Sequence, residues 1–197
     1  YRLKSYVGKS LFKRLKYNYK WSARKKVNQN KKKCRHFSFV FSNKVGQTLK
    51  TIVDPKKQNF LAYKNCTLFK PNLNEIMDGL NIKANIENFE EIEKATTHLR
   101  DIISAKAILL TLSNKGIFLN TNSGSKLKKS TTKNVIDVSG AGDTVVSVAA
   151  MCLACNIDYE ELAILSNIAG GIVCEKVGVV PISNQELLDR AKKILNV

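Results

Sequence analysis

Residues 137–144 read DVSGAGDT, and the apolar run VVSVAAMCLA follows directly at 145–154. Two glycines flank an alanine ahead of a stretch that reads as a helix from about Asp143 to Cys155. A turn of this kind presents unpaired backbone N–H groups and the positive end of a helix dipole. Gly140 and Gly142 allow positive φ and let the backbone come close to a ligand, and the natural guest is a phosphate. Asp143 is the anomaly, because a carboxylate beside a bound phosphate is repelled. It has a purpose there if it takes a proton from a hydroxyl that attacks the phosphoryl group. It is equally explained as a helix N-cap, and spacing alone leaves both readings open. The string fits neither the Walker A loop nor the G-x-G-x-x-G dinucleotide pattern.

Working outward, the text around this motif alternates between strand and helix patterns. TIVD (51–54) and CTLF (66–69) read as short buried strands. ENFEEIEKATTHLRDIISA (87–105) is an amphipathic helix, with Phe89, Ile92, Ala95, Leu99 and Ile102 or Ile103 on one face. AILLTL (107–112) is a buried strand, SNKG turns, and IFLN returns as its hairpin partner. KLKKSTTKNVID is a polar connection into the motif. Asp158 with Glu161, and Ser183 with Glu186, are capping signatures for two further helices, ending near Glu175 and Leu195. Strands alternating with helices of this length predict an α/β fold with a mostly parallel sheet flanked by helices.

Charge divides the chain. Its 197 residues carry a net charge of +17, and residues 1–58 hold 18 lysines and arginines against one acid, Asp54. The remainder holds 15 basic and 15 acidic residues and is neutral. The front segment, 1–50, is basic, poorly patterned and laced with Tyr1, Tyr6, Tyr17, Tyr19 and Trp21. Such an arm can hold nucleic acid through phosphate neutralisation and stacking, or lie on an anionic surface. The five cysteines are scattered, and Cys152-x-x-Cys155 lies inside an apolar helix without a second pair to complete a zinc site. They read as buried free thiols in a reducing cytosol. With no run of eighteen apolar residues and no secretory leader pattern, the expected setting is cytoplasmic, without a membrane partner.

DVSGAGDT resembles the D-[TV]-x-G-A-G-D signature of the ribokinase/PfkB-type carbohydrate kinases. Three more stretches agree with that family in order: VDPKKQNFLAYKNCTLFKPNLNE (53–75), LLTLSNKGIFL (109–119) and LSNIAGGIVCEKVGVVPIS (165–183). Within the family, the DPK, TLFKPN and GGIVCEKVG phrases are most similar to the heptose-7-phosphate kinases of lipopolysaccharide-core precursor synthesis. The resemblance covers 51–197 and implies a ribokinase-like fold whose nucleotide-binding part is that span. It implies ATP and Mg²⁺, a sugar phosphate substrate, and transfer of a phosphoryl group to a sugar hydroxyl. Asp143 would be the general base, and the N–H groups of Gly140, Ala141 and Gly142 the anion hole. Asn72 and Glu75 would organise magnesium and its waters, with direct metal ligands left unassigned. Thr111, Ser113 and Gly116 would lie beside the nucleotide, and Asn167 and Gly171 beside adenine. Lys56 would touch a phosphate or stand as a solvated turn lysine.

Two departures from the family pattern matter. Ser113 replaces the usual glycine of T-L-G, which costs about 1 kcal/mol if that position needs positive φ. In residues 1–50 the paired glycines, lid strands and hydroxyl-gripping side chains of the sugar-binding half are not found. FSFVF (37–41) resembles a strand, but nine residues before TIVD are too few for a parallel crossover. The expectation is therefore a kinase fold truncated or scrambled on its N-terminal side, with 1–50 read as a non-native or disordered extension. Three readings stay open: an ATP-dependent sugar kinase, a nucleotide-binding fragment without turnover, and a binder of anionic surfaces through the arm. The reading does not favour nucleic acid as a partner and leaves a homodimer and a fused nucleotidyltransferase domain open.

Overall fold

The computed structural model describes residues 37–41, 50–82, 88–132 and 134–195. The basic arm over 1–36, with its aromatics and Cys34, lies outside the described residues, as does the link 42–49. The chain divides into two compact units. One contains the described residues 37–41, 50–82, 88–113 and 117–127, and the other 114–116, 128–132 and 134–195.

The first unit is built on a six-stranded sheet: β1 (Phe37–Phe41), β2 (Lys50–Asp54), β3 (Leu68–Phe69), β4 (Ala107–Thr111), β5 (Ile117–Thr121) and β6 (Gly124–Lys128), in that spatial order. β2, β3 and β4 run parallel. β1 pairs antiparallel with β2, from Phe37 opposite Asp54 to Phe41 opposite Lys50. β5 pairs antiparallel with β4. The α/β class is the expected one, and the sheet is mixed, with a parallel centre and antiparallel flanks. The link 42–49, too short for a parallel crossover, is long enough for the antiparallel return observed. The polar stretch expected as a connection begins as β6; its alternating lysines belong to an edge strand.

Helix α1 (Leu73–Leu80) and helix α2 (Phe89–Ile103) complete this unit. α2 starts where the Asn88 side chain accepts hydrogen bonds from the N–H groups of Glu90 and Glu91, and it ends at Ser104 in the left-handed conformation. Its predicted stripe is the buried one: Ile92, Ala95, Leu99 and Ile103 pack with Val53, Phe69, Ile108, Leu110 and Phe118 of the sheet. Phe89, although partly exposed, lies with its ring centroid 5.0 Å from that of Phe118. Gly79 of α1 has no substitute, since a Cβ there would lie 2.2 Å from the Phe60 ring. Ile52, Leu68, Leu109 and Leu119 on the opposite face are buried too, which explains why these strands read as continuous apolar runs.

The second unit is helical: α3 (Ala141–Ala154), α4 (Tyr159–Cys174) and α5 (Asn184–Leu195). Asp158 caps α4 by accepting from the N–H groups of Glu160 and Glu161, and Ser183 Oγ accepts from Glu186 N–H at the start of α5. Cys152 and Cys155 are buried free thiols, as is Cys66 of the first unit, and Cys174 is half-buried. Burial pushes the Cys66 thiol up to about 12 and raises that of Cys152 further. Among the described residues no helix is long and apolar enough to cross a membrane.

Candidate functional site

Helix α3 begins two residues earlier than its apolar run suggests. Its N-cap is Gly140, at φ 78°, and no side chain caps it. This is a left-handed position that only glycine holds without strain. Any Cβ there would also press within 3.1 Å of Val179. Asp143 is therefore not the cap; it is the third residue of the helix. Among the described residues no hydrogen bond or ion pair engages its carboxylate, while its backbone oxygen accepts from Ser147 Oγ at 2.7 Å. The Ala141 N–H donates back to Val138 O at 3.2 Å, closing the turn. The N–H groups of Gly140 and Gly142 have no acceptor among the described residues. The loop mouth thus pairs free donors with an exposed, unengaged acid.

Asp137 anchors this loop, a role not assigned to it from the sequence. Its Oδ1 accepts from Ser139 N–H at 2.9 Å and its Oδ2 from Gly178 N–H at 2.8 Å. The Asp-x-Ser spacing of an Asx turn was the available signal. The Ser139 N–H and hydroxyl, then the Gly178 N–H, hold the Asp137 carboxyl below the ordinary carboxylate value near 3.8. A carboxyl with a lowered folded value stabilises the fold above its unfolded value, and the contribution disappears as pH falls through the lowered one. Acid unfolding of the wild type and Asp137→Asn should therefore diverge above about pH 4 and converge below it; parallel curves would remove the anchor role.

In the sheet unit, Asn72 and Glu75 form a reciprocal capping box at the start of α1. Asn72 Oδ1 accepts from Glu75 N–H at 2.9 Å, and Glu75 Oε2 from Asn72 N–H at 2.8 Å. Asn72 also bridges to Thr111, whose N–H donates to Pro71 O at 3.0 Å. The structure thus joins Asn72, Glu75 and Thr111 at the C-terminal end of the parallel strands, where open α/β sheets bind ligands. Burial raises the Glu75 carboxyl, opposed by the Asn72 N–H and the Lys70 charge. Lys70 is 4% exposed and places Nζ 2.7 Å from Asp54 Oδ1. Lys56 stands 3.4 Å from Asp54 Oδ2 with its side chain half in solvent, a solvated lysine that also pairs with the aspartate.

The donor set at Glu75 fits magnesium held mainly through water. Glu75 Oε1 is outside the capping box, one carboxylate oxygen is available, and the described residues gather no cluster of three or more acidic, His or Cys ligands.

Ser113 adopts φ 53°, so the position does require the left-handed conformation that glycine holds without strain. Ser113→Gly should raise stability by about 0.5–1 kcal/mol, read from urea midpoints at constant slope. Gly116, at φ 103°, Asn167 and Gly171 lie in the helical unit with the segment 128–132. Asn167 Nδ2 donates to Lys129 O at 2.8 Å and Lys128 O at 3.3 Å.

Comparison with known proteins identifies the chain's relatives. The chain is 38% identical over 136 residues to the bifunctional protein HldE of Campylobacter jejuni strain RM1221, covering 69% of this chain and 29% of that one. It is 40% identical over 137 residues to the bifunctional protein HldE of Haemophilus influenzae strain PittEE, covering 69% and 28%. The chain thus spans less than a third of the length of these curated relatives. Among solved structures, phosphofructokinase-2 from Escherichia coli in complex with substrates and products matches with a TM-score of 0.65 at 21% identity, over 74% of this chain and 47% of that one. Arabidopsis thaliana ribokinase complexed with ribose and ATP matches at 0.59 and 20%, over 70% and 43%. These two likenesses establish a ribokinase-like fold. The model of the pfkB family carbohydrate kinases matches residues 20–186, and the chain belongs to that family.

Proposed function

We propose that this chain carries out the ATP-dependent phosphorylation of a sugar phosphate, with heptose 7-phosphate as substrate and heptose 1,7-bisphosphate as product. The observation that carries the reading is the unengaged Asp143 carboxylate in the first turn of α3, beside donors that have no acceptor. Asp143 accepts the proton of the sugar hydroxyl as its oxygen attacks the γ-phosphorus. The bond from that phosphorus to the bridging oxygen breaks, and ADP leaves. The N–H groups of Gly140 and Gly142 face negative charge as it builds, joined by that of Ala141 once its turn bond lengthens. Asn72 and Glu75 would hold magnesium through water, and the ion would neutralise phosphate charge. Thr111 and Ser113 border the nucleotide.

The heptose assignment is supported by the bifunctional HldE relatives and by the DPK and TLFKPN phrases. ADP release is the test, measured with heptose 7-phosphate, fructose 6-phosphate and ribose as acceptors. Turnover confined to heptose 7-phosphate supports the reading, and turnover confined to another sugar replaces the substrate. In a second reading, the chain binds ATP without transferring its phosphoryl group. ATP binding with no ADP release from any acceptor would establish that one.

A further inference from the structure

Three residues that the family resemblance assigns to the nucleotide, Gly116, Asn167 and Gly171, all face one short segment, the strap 128–132, the first two against its backbone and Gly171 against its threonine side chains. A Cβ on Gly116 would lie 2.1 Å from Lys128 O and 2.6 Å from Ser130 N. A Cβ on Gly171 would lie 2.2 Å from Thr132 Oγ1 and 3.6 Å from Thr131 Oγ1. Asn167, buried on α4, spends its carboxamide on the carbonyls of Lys128 and Lys129. At the start of the strap, Lys128 Nζ pairs with Glu160 in the first turn of α4. Gly116 is small because strap backbone passes over it and Gly171 because the Thr132 side chain does, and the asparagine is occupied because it holds the strap backbone down.

We infer that Asn167 is a positioning residue that latches the strap 128–132 onto α4, shaping the nucleotide-binding face without reading the base itself. The inference rests on the nucleotide-binding reading above and reassigns one of its residues. Its physical basis is the donor count. A side-chain amide has two N–H donors, and both carbonyls within reach belong to the strap, so the donor face has no capacity left for a purine. The latch also has a cost to offset. Among the described residues Thr132 Oγ1, enclosed against Gly171, has no hydrogen-bond partner, a burial that costs about 1–3 kcal/mol. The Asn167 bonds and the Lys128–Glu160 pair hold the strap in place against that cost.

The test compares calorimetric affinities for ATP and GTP, with magnesium present, at a temperature where circular dichroism shows each variant folded. Asn167→Ala and Asn167→Asp should weaken both nucleotides by the same factor, about tenfold, since neither replacement can donate to the strap carbonyls. Asn167→Gln, which keeps the amide, should recover part of the loss. Hydrogen–deuterium exchange at 128–132 should accelerate in the nucleotide-free Ala and Asp variants. Should these not fold, Glu160→Gln carries the test: faster strap exchange with an equal, smaller loss for the two nucleotides. Selective loss of ATP over GTP in Asn167→Ala would make Asn167 a base reader and overturn the latch. Unchanged affinity for both in the folded variant would reduce the contact to packing alone. Absence of nucleotide binding by the unaltered chain would overturn the underlying reading as well, and so is distinguishable from failure of the latch.

Discussion

Asp143→Asn is expected to lower phosphoryl transfer by about 10²- to 10⁴-fold while leaving ATP affinity and folding unchanged. The expectation follows from what the carboxylate does not do. It is not the cap of α3, a role that falls to Gly140. It has no hydrogen bond or ion pair among the described residues that a carboxamide would disturb. Asparagine keeps the shape and loses only the capacity to accept a proton. Removing a negative charge beside the phosphates should, if anything, tighten ATP slightly, because like-charge repulsion is relieved. Single-turnover ADP formation and calorimetric ATP affinity together check this. A variant that transfers at the wild-type rate would remove Asp143 from the reaction, and one that fails to bind ATP would make it a structural residue.

Lys70→Met should be the most damaging of the site substitutions for stability. Lys70 and Asp54 form a buried pair at 2.7 Å, with side chains only 5% and 7% exposed. Removing one partner strands the other charge away from water, which costs about 3–5 kcal/mol. Lys56 stands within 3.4 Å of the same carboxylate and half in solvent, so the loss should fall at the lower end. The double variant Asp54→Leu/Lys70→Met removes both charges and should recover most of the stability. Urea unfolding of the single and double variants gives the answer through the coupling between them. A loss below about 1 kcal/mol for the single change would mean that the pair behaves as a surface one.

The helices were legible because their ends are written in side chains. Asp158 with Glu161 and Ser183 with Glu186 were recognised as caps, and both cap where expected. The same signature at Asn72 and Glu75 was read only for its resemblance to a magnesium motif, so the capping box there went unnoticed. The core was legible because Ile92, Ala95, Leu99 and Ile103 repeat at helical spacing. β6 was not, because Lys126 and Lys128 carry no apolar alternation on an edge strand. The Asp54–Lys70 pair was out of reach for a different reason: a charge at the end of β2 and one just past the end of β3 share no local pattern. The strap shared by Gly116, Asn167 and Gly171 is likewise a product of tertiary folding, and each residue taken singly looked like a ligand contact. Asp137 stands inside the same glycine-rich motif, six residues before Asp143, whose position beside the free N–H groups carries the stronger chemical signal.

The sheet order has a consequence for biosynthesis. Each of the six strands lies beside its neighbour in the chain, from β1 through β6, so no strand has to be inserted between two that are already paired. The sheet can be laid down in the order in which the ribosome delivers it, each arrival docking on the previous edge. The β5–β6 hairpin, the most local pairing, closes fastest, whereas β3 and β4 must await α1 and α2. Ribosome-arrested chains of increasing length should accordingly gain protease resistance stepwise from the N-terminal strands onward. A single late transition after α5 has emerged would show instead that the helical unit is needed before any strand pairing survives.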